Sequence, residues 1–197
     1  MDNNTNHGGL IVTNEIDIQE NIAQKKKLLL KLKNDISLFG RVCFPTALNK
    51  ATPPFHKNIY KAIKDETNGR VLIAAPRGNA KSTVISLIFP LWRAAFKADN
   101  EEFIVIVSES QAQSINFLSR IKYHLNNSER FKDIFGDMSA NTAKKWSGTD
   151  IILANGTRIV AVGTGQRVRG FIEGDTRPTL IIVDDFESEL NATTDEL

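Results

Sequence analysis

The chain is 197 residues long with 41% hydrophobic and 24% charged residues, ordinary globular composition that allows one substantial domain with a buried core. The single cysteine, Cys43, excludes an internal disulfide, and the polar start Met1 to Gly9 lacks both the basic flank and the apolar run of a signal peptide, so a reducing cytoplasm is expected. Net charge is only +2, but all 25 Lys and Arg precede residue 184 while 6 of the 23 acids follow Val183, which leaves residues 1–183 with a surplus of +8. Such a surplus is compatible with a polyanionic partner such as nucleic acid, and equally with scattered surface lysines.

In chain order, residues 1–20 are rich in Asn and polar groups and read as a flexible leader, followed by a domain over 21–197. Asn21 to Leu38 predicts a helix with a basic face at Lys25, Lys26, Lys27, Lys31 and Lys33 and an apolar side at Leu28, Leu29, Leu32 and Ile36. After a loop with Pro45, Pro53 and Pro54, Phe55 to Lys64 reads as a second helix. From Arg70 the texture alternates: an apolar strand Val71 to Ala75, a loop, a helix from Lys81 that Pro90 is expected to kink or end, and a β-branched run Phe103 to Val107. A helix follows over Gln111 to Leu125, then two strands, Asp150 to Leu153 and Thr157 to Val162, around the hairpin signal Asn155-Gly156, and last the buried-strand run Leu180 to Val183.

Strand and helix alternating in this way predict an α/β fold with a mainly parallel central sheet, helices on both faces and the β-hairpin as an insertion. The longest apolar stretches, Val84 to Trp92 and Phe103 to Val107, fall far short of the roughly 20 residues a membrane-spanning helix requires. No membrane association is expected.

Ala-Pro-Arg-Gly-Asn-Ala-Lys-Ser-Thr, from Ala75 to Thr83, stands between an apolar strand and a helix, the context of a Walker A phosphate loop. Alanines at 75 and 80 replace the two glycines of that pattern, while Gly78 keeps one permissive position. The chemistry suits a phosphate: Pro76, Arg77, Gly78, Asn79, Ala80, Lys81, Ser82 and Thr83 line the candidate loop. Successive N–H groups at a helix start cradle the anion, Lys81 supplies a point charge and the Ser82 hydroxyl can ligate magnesium. The same segment also fits a plain connection with a surface lysine.

Leu180-Ile-Ile-Val-Asp-Asp has the Walker B form, four core-strand residues followed by two acids. Two carboxylates at the exit of a core strand are costly unless used. Asp184 is the candidate magnesium ligand. Asp185 stands where a glutamate usually polarises the attacking water, with Glu187 as a weaker candidate base. One of the pair can instead cap a following helix. The two half-sites together predict ATP and Mg2+ as ligands and a P-loop NTPase of the additional-strand (ASCE) type.

With these residues in hand, the chain resembles the N-terminal ATPase region of the large terminase subunit of tailed phages, over about Phe39 to Glu187. The resemblance rests on an ordered set: Phe55-His56-Lys57, the loop Pro76 to Thr83, Pro90-Leu-Trp, Val107-Ser-Glu-Ser, Phe135-Gly136, Trp146, Asn155-Gly156, Gly163-Thr-Gly-Gln-Arg-Val-Arg-Gly, and Arg177-Pro-Thr-Leu-Ile-Ile-Val-Asp-Asp. It implies a magnesium-dependent ATP hydrolase that drives packaging of double-stranded DNA into procapsids from the host cytoplasm. The implied partners are a portal protein, a small terminase subunit and further copies of the chain in a ring.

By the same resemblance Lys81, Ser82, Asp184 and Asp185 match the catalytic core, and Arg77 matches an arginine that touches the γ-phosphate. Arg169 matches one offered to a neighbour's nucleotide, although a structural salt bridge is an equal reading for it. His56 with Phe55 or Tyr60 either borders the adenine or packs a helix face. The family continues into a coupling motif and a nuclease domain, neither visible up to Leu197, so an ATPase fragment or truncated product without nuclease residues is expected. A helicase-like nucleic-acid-dependent ATPase and a weakly catalytic nucleotide-binding assembly module are the competing readings.

Overall fold

The computed structural model describes residues 8–49, 52–65, 67, 69–76, 78–96, 102–164 and 177–185. The first helix, α1, spans Gly8–Asn34, so it starts well before Asn21. It stops where Asp35 caps α2 (Ile36–Cys43), the Asp35 carboxylate accepting from Leu38 N at 2.8 Å. A short acceptor side chain that serves a new N-terminus better than the helix interior accounts for the break inside the expected Asn21–Leu38 run. Helix α3 is Pro54–Lys64 with Pro53 before it, as the proline-led helix start predicts.

The helical run from Lys81 does not end at Pro90. It passes from α4 (Lys81–Thr83) through a π turn (Val84–Ile88) into α5 (Phe89–Phe96), with Phe89 N bonded back to Val84 O. Proline lacks the N–H that would bond the carbonyl four residues back and its ring crowds that carbonyl; the wider turn just before it makes room. Strand β1 (Phe103–Ser108), helix α6 (Gln111–Asn127) and helix α7 (Glu129–Phe135) follow. The chain then forms β2 (Lys145–Trp146), β3 (Asp150–Ile152), β4 (Arg158–Gly163) and β5 (Leu180–Val183).

The five strands form one sheet in the order β2-β3-β4-β1-β5. β1 runs parallel to β4 and β5, whereas β2, β3 and β4 are antiparallel neighbours, so the sheet is mixed rather than mainly parallel. The hairpin is no insertion: β4 is a central strand that uses its second edge to pair with β1. The apolar run at 71–75 forms no strand, and Leu72 is 96% exposed.

Alternation along the strands sorts the core. Ile104, Ile106, Ile159, Ala161 and Ile182 share one face and merge with the buried side chains of the helices. Phe103, Val105, Val160 and Val162 form a smaller cluster on the other. Phe39 sits at the hub of the helical side, its ring edge-on to Phe44, Phe96, Phe131 and Phe135 at centroid distances of 5.7, 5.9, 6.3 and 5.8 Å. Gly163 is required by close packing, since a Cβ there would lie 2.4 Å from Gln111 N.

Polar groups tie these layers at their ends. Arg93 makes a bidentate pair with Glu102 at 2.7 and 3.0 Å, joining α5 to the start of β1. Burial alone would raise the Asp150 carboxyl, but bonds and charges from Arg158 and Lys145 outweigh it and hold the group below its ordinary range. No described helix is long and apolar enough to cross a membrane.

Candidate nucleotide-binding site

The carboxylates Asp184 and Asp185 leave the C-terminal end of β5 beside the end of β1. Backbone bonds stitch them there: Asp184 N donates to Val107 O at 3.0 Å and Glu109 N donates to Asp185 O at 3.0 Å. The Gln113 amide, in the first turn of α6, donates to Asp185 Oδ2 at 3.5 Å, the long limit of a hydrogen bond. Crevices outside the carboxyl ends of strands are where open α/β sheets bind ligands.

The candidate loop folds back on itself. Lys81 Nζ donates to Ala75 O, and Asn79 Nδ2 donates to Pro76 O at 3.1 Å. Gly78 lies at φ 81 and Ala80 at φ 52, after which Val84 N closes onto Ala80 O at 3.1 Å and the helical run begins. Thr83 Oγ1 accepts from Arg120 Nη2 of α6 at 3.4 Å. His56 of α3, 5% exposed, donates from Nε2 to the Asn79 carbonyl at 2.7 Å.

One side-chain bond joins the two half-sites: Ser86 Oγ, in the π turn, donates to Asp184 Oδ2 at 2.5 Å. The hydroxyl that meets Asp184 is thus Ser86, one turn beyond Ser82 on the same side of the helix. Among the described residues Ala80 and Asp185 are the two non-glycine positions with positive φ, at 52° and 49°. For a residue with a Cβ this conformation costs roughly 1–2 kcal/mol. Such strain gathers at functional sites, and here each half-site carries one instance.

Arg77, Arg169 and Glu187 lie outside the described residues. Sequence reasoning had no role for Arg120, Gln113 or Ser86, and none for Ser108, whose fully buried hydroxyl at the tip of β1 has no hydrogen-bond partner among the described residues. The signal for Ser86 was its spacing of four from Ser82, which puts both on one helix face.

Among the described residues no three His, Cys, Asp or Glu side chains converge as a metal cluster. Magnesium does not ask for one, since it is held by one or two carboxylates together with waters and phosphate oxygens. Asp184, Asp185 and the serine hydroxyls of the helical run are hard oxygen donors of that kind. No protein-family model matches the chain, and no curated protein is significantly similar to it in sequence.

Proposed function

We infer that the chain is a P-loop ATPase domain of the additional-strand type, hydrolysing ATP with magnesium, and that it works as the motor domain of a large terminase subunit packaging double-stranded DNA. The observation that carries this reading is the bond from Ser86 to Asp184, which ties the helix after the lysine-bearing loop to the acidic end of a core strand. A lysine at the start of a helical run whose Ser86 meets the first of two strand-end acids supplies groups that phosphoryl transfer from a nucleotide uses. The ordered motifs quoted above supply the terminase assignment, with portal protein, small subunit and neighbouring copies as partners.

In this mechanism the loop N–H groups from Gly78 to Ser82 and the Lys81 ammonium hold the phosphates, Lys81 leaving the Ala75 carbonyl to do so. Asp184, with Ser82 or Ser86, would hold a magnesium ion, which would supply charge neutralisation to the phosphates. Asp185 accepts a proton from the attacking water, and Gln113 orients its carboxylate. By the family resemblance, Arg77 would contact the γ-phosphate and Arg169 would serve a neighbour's site; both lie outside the described residues.

The unpaired run at 71–75 favours one second reading, a nucleotide-binding assembly module with little turnover. Titration of a fluorescent ATP analogue separates the two. The motor reading expects saturable binding that magnesium tightens about tenfold, with that gain lost in Asp184→Asn. Binding indifferent to magnesium, or no binding, overturns it.

A further inference from the structure

The loop lacks glycine where its backbone is most demanding. Ala80 sits in the left-handed region at φ 52, immediately before Lys81, although its Cβ disfavours that conformation. The peptide joining Asn79 to Ala80 is therefore the strained link of the loop, and its carbonyl is the acceptor that His56 Nε2 reaches at 2.7 Å.

His56 is well seated for such a task. Helix α3 buries Ile59 and Tyr60 in the core and is tied to α1 by Lys64 Nζ, which donates to Asn34 O at 2.7 Å. The imidazole itself is almost fully buried, edge-on to Phe55 at 4.4 Å between centroids. Among the described residues no peptide bond is cis. In a trans peptide the C=O and N–H point in opposite directions, so a bond that draws the Asn79 carbonyl toward His56 turns the Ala80 N–H away from it. Asn79 is held a second time, by its side chain on Pro76 O, so the residue just before Ala80 is fixed at both its carbonyl and its side chain.

We propose that His56 is a positioning residue for the phosphate loop: its Nε2–H holds the Asn79 carbonyl and thereby keeps the Ala80 peptide in the orientation a phosphate needs, a task that glycine at position 80 would make unnecessary. The inference rests on the nucleotide-site reading above and deepens it. It assigns His56 to the backbone of the loop and to no contact with the base.

Two measurements on the full chain test it. Long-range 15N correlation of the histidine rings reports the tautomer without any nucleotide. His56 is expected to carry its proton on Nε2, and an Nδ1–H tautomer overturns the proposal. Titration of a fluorescent ATP analogue with magnesium then reads the consequence. His56→Phe keeps an aromatic ring in the same packing but removes the donor, and should weaken binding about tenfold. His56→Gln keeps a donor at similar reach and should lose less than about threefold.

The decisive variant is the pair His56→Phe with Ala80→Gly, since glycine adopts positive φ freely. It should recover affinity to within about threefold of the parent. Loss in His56→Phe without recovery by Ala80→Gly means that His56 only packs α3, and overturns the proposal, as does unchanged affinity in His56→Phe. If the parent binds no nucleotide, the function proposed above falls, and the tautomer alone decides the brace.

Discussion

The sheet and the loop at 71–83 are built on different principles. Across β3, β4 and β1 the backbone is held by continuous ladders, a hairpin turn and a glycine that admits α6 at van der Waals range. Across the loop at 71–83 no ladder is present among the described residues, and the chain is held by separate side-chain bonds from His56, Asn79 and Lys81. The first is redundant, so many contacts must fail together before it opens. The second rests on a few bonds that can be exchanged one at a time, as the proposed function asks of a loop that regrips around a ligand.

Substitutions in the two regions should therefore separate stability from turnover. On the proposed function, Lys81→Ala is expected to reduce ATP hydrolysis by about a thousandfold, because the charge that would leave the Ala75 carbonyl for the transferring phosphate is lost. Its melting temperature should stay within about 3 °C of the parent in a thermal scan. Undiminished turnover would remove Lys81 from the site. Phe39→Ala should show the reverse: about 3–5 kcal/mol of stability lost in denaturant titration, from emptying the aromatic hub, while the folded fraction still binds nucleotide. A Phe39→Ala protein that stays stable yet loses nucleotide binding would break the comparison.

The smallest expected effect comes from pH. Burial, with the Arg120 charge nearby, pushes His124 below its ordinary value of 6.5. The folded state thus disfavours the imidazolium: the penalty is absent well above pH 6.5 and grows as pH falls through it. The denaturation midpoint should be lower at pH 5 than at pH 7.5, and His124→Gln should shrink the difference. A profile unchanged by that substitution would assign the acid sensitivity to other groups.

How much of this was legible in the sequence differs between the same two regions. Leu180–Val183, Phe103 onward, the helix from Gln111 and the Asn155-Gly156 hairpin were all readable, because each is a local pattern of apolar spacing or turn chemistry. The partner on the far edge of β4 was not, since a hairpin signal says nothing about what lies across the other edge. Val71 to Ala75 illustrates the opposite limit: a strand-like run forms a strand only where a neighbour pairs with it.

For the candidate site, Lys81, Asp184 and Asp185 were singled out by motif. The tether from His56 was not, because a histidine on an apolar helix face looks the same whether it only packs or reaches a carbonyl 23 residues away. The π turn also left no pattern of its own beyond Pro90, which was expected to kink or end the helix and is instead accommodated by a widened turn just before it.

The register of the sheet also sets an order of assembly. β3 and β4 close across one short turn, and β1 meets β4 with Phe103 and Arg158 opposite each other, 55 positions apart. β5 joins β1 with Ile104 opposite Leu180, 76 positions apart, and it carries both candidate-site carboxylates at its end. Since loop closure costs more as the loop lengthens, β5 is expected to dock last, so the scaffold forms before the acids that complete the site. Pulsed hydrogen exchange during refolding should protect Ile159 and Val160 before Ile182; simultaneous protection would show that scaffold and site fold as one unit.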